Sequence, residues 1–186
     1  MKYLIGTLLF LSLQTTFSAE LAIEPVYGIE RTQREYPRPA KYKTSTFIGA
    51  RALYGEPLFS VEFELNQSIT KDEFPADNLE VTYNVQKALL GFRTYPVHSQ
   101  YVGWFFRFGV RAQQKQRKIV EDSIERTEKD PVNIDPYAGT GLTLAAGKMF
   151  ALNAGATLIY NKNATDENEK FDTRYTFSFT IRAGSK

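Results

Sequence analysis

An all-β fold, an eight-stranded antiparallel up-and-down barrel that crosses a membrane, is predicted by three features of this sequence. Eight segments alternate bulky apolar side chains with glycine, polar or charged ones. The connections between those segments alternate long with short, and their arginines and carboxylates share a face with the glycines. Successive side chains of a strand point to opposite faces. Each segment therefore offers one face to hydrocarbon and keeps the other for a narrow, polar, ion-paired interior.

The first strand is expected over residues 21–30, with Leu21, Ile23, Pro25, Tyr27 and Ile29 opposite Ala22, Glu24, Val26, Gly28 and Glu30. Pro25 removes a ladder donor. Residues 31–43, rich in Pro, Lys and Arg, read as a long loop. The second strand, 46–54, sends Ile48, Ala50, Ala52 and Tyr54 one way and Gly49, Arg51 and Leu53 the other, and Gly55-Glu56-Pro57 turns it tightly. In the third, Phe59, Val61, Phe63 and Leu65 alternate with Ser60, Glu62, Glu64 and Asn66, before a polar loop to about Asn78. Within the fourth, 79–95, Ala88, Leu90 and Phe92 oppose Leu89, Gly91 and Arg93, whereas Val81, Tyr83 and Val85 upstream have the other parity. Either a bulge near Gln86-Lys87 restores one phase, or the upstream half stands clear of the membrane.

After Pro96–Gln100, the fifth strand is the clearest: Val102, Trp104, Phe106, Phe108, Val110 and Ala112 oppose Gly103, Phe105, Arg107, Gly109 and Arg111. The polar insert 113–131 is a helix, a hairpin extension of its flanking strands, or a mobile segment. Strand six, 137–144, sets Ala138, Thr140, Leu142 and Leu144 against Tyr137, Gly139, Gly141 and Thr143. Strand seven, 149–160, sets Phe150, Leu152, Ala154, Ala156, Leu158 and Tyr160 against Asn153, Gly155, Thr157 and Ile159. The eighth, 171–183, places Phe171, Thr173, Tyr175, Phe177, Phe179 and Ile181 opposite Asp172, Arg174, Thr176, Ser178, Thr180 and Arg182.

Met1–Ser18 stands apart from these strands. Lys2, the apolar run Leu4–Leu13 and the small Thr16 and Ser18 have the make-up of a secretory signal peptide cut after Ser18. Residues 19–186 remain as one barrel domain. No later segment has about 18 consecutive apolar residues, so helical spans are not expected. The absence of cysteine excludes a disulfide framework, a thiolate metal site, a catalytic thiol and a lipid-bearing cysteine. A formal charge of +2 removes the electrostatic case for a nucleic-acid partner. The mean hydropathy of −0.35 is no objection to a membrane location, because a barrel strand needs apolar residues only at alternate positions.

Long connections follow strands one, three, five and seven, and short ones follow two, four and six, so every short turn lies at one end. That asymmetry predicts short periplasmic turns, longer extracellular loops and both termini at the periplasmic end. Tyr54, Tyr95, Tyr101 and Trp104 fall near that end and Tyr160 near the other, as interfacial girdles require. The inward face then carries Glu24, Glu30, Glu62, Glu64 and Asp172 with Arg51, Arg93, Arg107, Arg111, Arg174 and Arg182. An unpaired ion in a dry lumen is costly, whereas guanidinium and carboxylate satisfy each other, so this set reads as structural filling. A turn centred near Glu56 puts Arg51 opposite Glu62 or one diagonal step away. Eight strands leave room for a small ligand at most.

These amphipathic strands, the repeated I-G-A-R, L-G-F-R and F-G-V-R at 48, 90 and 108, and the last strand Y-T-F-S-F-T-I-R over 175–182 resemble the small outer-membrane barrels of Gram-negative bacteria, the OmpA-like and OmpX-like group. The resemblance spans residues 19–186. It implies an integral outer-membrane location, contact with outer-membrane lipid and lipopolysaccharide, and a last strand read by the barrel-assembly machinery during biogenesis. Members commonly stop on an aromatic residue, whereas this chain continues through Ala183-Gly184-Ser185-Lys186.

The group includes anchors, adhesins, serum-resistance proteins and lipid-modifying enzymes, so function must be argued from residues. The single histidine, His98, sits beside Ser99 in an expected periplasmic turn, away from any outer-leaflet substrate. One histidine and no cysteine make a poor transition-metal set. Asp166-Glu167-Asn168-Glu169 lacks the spacing of a calcium loop. No cofactor is expected. Arg34, Tyr36, Arg38, Lys41, Tyr42 and Lys43 are candidate contacts for lipopolysaccharide, a host glycan or another surface ligand. The expected function is therefore a non-enzymatic outer-membrane barrel presenting polar loops. Its rivals are a soluble periplasmic lipocalin-like barrel with the aromatic face inward, an outer-leaflet lipid-modifying enzyme, and a small pore.

Overall fold

The computed structural model describes residues 19–34, 41–56, 58–75, 78–122, 124–162, 164 and 170–183. The expected leader 1–18, the acidic run 166–169, Tyr36 and Arg38 lie outside the described residues. Among the described residues nine strands form in chain order: β1 Glu20–Arg34, β2 Lys41–Glu56, β3 Phe59–Phe74, β4 Leu79–His98, β5 Val102–Glu121, β6 Ile124–Lys129, β7 Asn133–Ala146, β8 Phe150–Tyr160 and β9 Phe171–Ala183. All neighbours pair antiparallel, and the β1–β9 and β4–β5 ladders close the sheet into a ring.

The wall has eight staves all the same. Along one edge, β5 pairs with β7 over Val102–Gln113 and with β6 over Gln116–Glu121. Strands β6 and β7 therefore follow each other as the sixth stave, interrupted at Asp130-Pro131-Val132, where proline cannot donate to a ladder. Of the three readings of residues 113–131, the hairpin extension is the one that forms.

The aromatic rows point away from the axis. Phe63 is 46%, Phe108 48% and Phe177 58% exposed, while their neighbours Glu64, Arg107 and Ser178 are buried. A lipocalin-type lumen lined by these rings is excluded. From Val102 to Ala112 the apolar row of β5 climbs about 25 Å, at ~3.3 Å per residue and ~40° tilt, which matches the hydrocarbon band of an outer-membrane barrel. Tyr54, Tyr101 and Trp104 are exposed near the short-turn end. Tyr95 departs from the expected girdle: it shares the inward parity of Arg93 and packs edge-on against buried Phe105.

The staves run further than the sequence pattern suggests, most of all at the long-loop end, although β4 also continues to His98 at the short-turn end. β1 reaches Arg34, β2 starts at Lys41, and β3 continues to Phe74, paired with Leu79 of β4. No bulge interrupts Gln86-Lys87. The β4–β5 register is continuous from Leu79 to Thr94 and shifts only between Thr94 and Val97. Val81 and Tyr83 thus keep the inward parity of Leu89 and Arg93, and with Ile119 they form a buried apolar cluster, flanked by Phe74, Leu79 and Val85. Above the hydrocarbon the outside faces water, so the apolar side chains change to the inside without any change of register.

Two local features follow from backbone limits. Gly91 and Gly109 are direct cross-strand partners, and a Cβ on Gly109 would collide with the Leu90 carbonyl oxygen and stand 2.5 Å from Gly91 Cα. Pro25 faces outward in β1, and the β1–β9 ladder passes from Ile23↔Ile181 to Val26↔Ser178 without a pair at 24 or 25, keeping its register. Gly109→Ala is expected to cost about 1–3 kcal/mol, because the clash is with backbone. The urea midpoint of the band that runs differently before boiling measures this, and an unchanged midpoint contradicts the close approach.

Candidate functional site: the ion-paired interior and the crown

The lumen is filled in three tiers, each fixed by the inward parity of its staves. At the short-turn end Glu24 accepts from Arg51 Nη1 at 2.6 Å and from Arg93 Nη1 at 3.0 Å. It also accepts from Ser178 at 3.1 Å, Thr180 at 2.7 Å and Asn153 at 3.2 Å. In the middle, Glu62 holds Arg93 Nη2 at 3.1 Å, accepts from the Tyr137 hydroxyl at 2.9 Å, and pairs with Arg107. Glu64 binds Arg51 Nη2 at 2.8 Å and Arg107 Nη2 at 3.2 Å, and pairs with Arg174. Near the outer end Arg111 bridges Glu30 at 3.0 Å, Asp135 at 2.7 Å and Asp172 at 3.1 Å, and Lys87 pairs with Glu30.

Arg51 and Glu64 are direct partners in the β2–β3 register, and Glu62 is the diagonal neighbour, with its carboxylate 3.8 Å from Arg51 Nε. The guanidinium faces lie on rings: Arg93 over Phe105 at 4.6 Å, Arg107 over Tyr137 at 5.1 Å and Arg174 over Phe47 at 3.9 Å. Such stacking holds a planar cation where too few acceptors remain. Phe47 itself covers Gly28, its cross-strand partner, whose missing side chain leaves room for the ring.

Among the described residues the buried interior carboxylates are Glu24, Glu30, Glu62, Glu64, Asp135 and Asp172, and the buried cations joined to them are Arg51, Lys87, Arg93, Arg107, Arg111 and Arg174. Arg182 is not among them; it lies at the short-turn mouth and donates to the Lys148 carbonyl at 3.2 Å. Lys87 and Asp135 escape the sequence reading for a local reason. Lys87 lies at the supposed phase change of β4, and Asp135 lies before the expected start of strand six, although each keeps the inward parity of its strand. The mouth opens into a hollow of about 260 Å³ beside Glu20, Glu56, Tyr95, His98 and Arg182.

His98 is exposed there, edge-on to Tyr95 at 6.0 Å. Ser99 is occupied in its turn, its Oγ donating to the Val102 carbonyl at 2.9 Å and accepting from the Val102 amide at 3.0 Å.

At the opposite end the staves continue as a crown. The β2–β3 ladder stops at Ile48↔Gln67, so the β1–β2 hairpin and the β3–β4–β5–β6 sheet separate above it. Asp72 joins them, binding Arg34 Nη1 at 2.6 Å and Lys43 Nζ at 3.1 Å. Arg34 also stacks over Tyr83 at 4.8 Å, and Lys43 over Phe74 at 5.2 Å. Arg34 and Lys43, expected as ligand contacts, are thereby used inside the crown. Tyr42 is covered by Arg31 at 4.7 Å, and Lys41 lies at the start of β2, its side chain outside the described residues. On the outer surface Lys71 sits between Glu73 at 2.8 Å and Glu80 at 2.9 Å. Hydrogen bonding to Glu73 and then Glu80 raises the Lys71 ammonium above its ordinary value, and the bond from Lys71 lowers Glu73.

The same architecture occurs in Ail, the attachment invasion locus protein of Yersinia pestis, with TM-score 0.60, 12% identity, and 89% of this chain and 99% of that one covered. Ail in complex with the heparin analogue sucrose octasulfate gives 0.60, 14%, 89% and 99%. A major outer membrane protein from Thermus thermophilus gives 0.56, 9%, 89% and 100%. At these identities the likeness shows the fold: a small outer-membrane β-barrel. No protein-family model and no curated protein matches the sequence.

Removing one partner strands the others in a low-dielectric lumen, so Glu62→Ala is expected to cost about 3–5 kcal/mol in unfolding from lipid vesicles. Arg182→Ala, at the wet mouth, is expected to stay within about 0.5 kcal/mol. Equal effects would contradict the division between network and mouth.

Proposed function

We propose that this chain is a non-enzymatic, integral outer-membrane protein whose residues 19–186 form a closed barrel and whose residues 1–18 serve as a cleaved leader. Its crown stands at the cell surface for envelope integrity or for recognition of a surface ligand. The observation that carries the proposal is an apolar belt outside a wall whose interior charges are paired with one another. A belt of that height requires hydrocarbon, and a lumen filled by paired side chains offers no wide aqueous path. Outer-membrane lipid and lipopolysaccharide are the surroundings such a wall calls for, and β9, with its alternating aromatics, serves the assembly machinery.

The position of His98 argues against lipid chemistry, since it lies at the short-turn end while an outer-leaflet substrate sits at the other. The likeness to a barrel crystallised with a sulfated sugar lends the recognition role a chemistry, an anionic saccharide. With Arg34 and Lys43 joined to Asp72, such a ligand would fall to the remaining residues expected from the sequence, Tyr36, Arg38, Lys41 and Tyr42.

In fractionated cells the protein is expected to resist alkaline carbonate, to migrate differently before and after boiling, and to give no stable single-channel steps in planar bilayers. Release into the soluble periplasm, reproducible conductance steps, or a change in lipid A that His98→Ala abolishes would each overturn the proposal.

A further inference from the structure

On the outer face of β2 to β5, where the apolar belt ends, lies a hollow of about 550 Å³. Its lower part is shallow because small side chains stand there: Ala88 and Ala112 are direct partners, with Leu65 beside Ala88. Its upper part is a row of neutral amides. Gln67 pairs with Gln86 and Gln86 with Gln114, giving three glutamines side by side on adjacent strands. Gln67 Nε2 also donates to Asn84 Oδ1 at 2.8 Å.

Amides are an unusual choice at this depth. Anionic headgroups are held by lysine or arginine, yet within β2 to β5 the first charges on this face come four residues further along, at Lys71 and Lys118, with Lys129 of β6 opposite Gln116. Lys71 is engaged with Glu73 and Glu80, and Lys118 with Glu125 at 2.9 Å. A primary amide both donates and accepts, which matches sugar hydroxyls. Adjacent strands lie about 4.8 Å apart, so Gln67 to Gln114 spans about 10 Å, the reach of two linked hexose rings.

We infer that this hollow is a binding site for an outer-leaflet glycolipid, with an uncharged disaccharide portion on Gln67, Gln86 and Gln114 and acyl chains over Ala88 and Ala112. The inference rests on the membrane-spanning reading above.

The full barrel is placed in phosphatidylcholine nanodiscs containing equal small amounts of digalactosyl diacylglycerol and phosphatidylglycerol, and the lipids it retains are counted by native mass spectrometry. Retention of the galactolipid is expected to exceed that of phosphatidylglycerol about tenfold, as a few net hydrogen bonds supply. The triple variant Gln67→Ala/Gln86→Ala/Gln114→Ala is expected to lose that preference, and so is Ala88→Phe, which fills the hollow. Ala156→Phe, on the outer face of β8, is expected to retain it, with folding of each variant read from its unboiled band. Equal retention of both lipids, a preference for phosphatidylglycerol, or the same loss in Ala156→Phe overturns the site. A barrel that never enters the nanodisc overturns the membrane reading instead.

Discussion

A charged side chain that leaves water must find its counter-charge at once, and this requirement sets the interior of the molecule. Taking guanidinium and carboxylate out of water costs several kcal/mol per ion, which mutual attraction offsets only when geometry is good and the remaining lone pairs are occupied. Glu24 meets that standard with two arginines, two hydroxyls and an amide. The glycines, the stacked rings and the barrel's narrow bore all serve the same end, since each brings donors and acceptors close enough to replace water. Stability and closure are therefore one property: the side chains that hold the staves together also occupy the space through which solutes could pass.

The second constraint is the change of solvent along a single strand. Over the lower part of β4 the outside is greasy and the inside ionic; over its upper part the outside is polar and the inside holds Val81 and Tyr83. The register is the same throughout. Only the medium differs, hydrocarbon below and water above, and the same demand to hide apolar surface from water gives opposite answers. A crown of this kind is a small soluble sheet continuous with a membrane wall.

This inversion also explains what the sequence can and cannot reveal. Within the bilayer a period of two, an inward Gly-x-Arg rhythm and alternating connection lengths are enough to locate all eight staves and most of the interior charges. Where the medium changes, the same pattern reads as a phase slip, which suggests a bulge at Gln86-Lys87 and hides Lys87. The polar run 113–131 has too few apolar residues to declare itself as strand; its first part is paired because it continues the ladder of β5 with β4, and its second folds back on β5 as β6. The Asp72 clasp is invisible for a different reason: it joins residues 38 positions apart across a gap where no ladder guides the pairing.

Pro25 marks the seam where the first strand meets the last. Its missing amide leaves two positions of that ladder without a backbone pair, and Glu24, next to it, reaches across to Ser178 and Thr180, 154 and 156 residues away. Contacts of such sequence separation carry the largest closure entropy in the chain. The zip that completes the cylinder is thus fastened, at its weakest tooth, by a single buried acid.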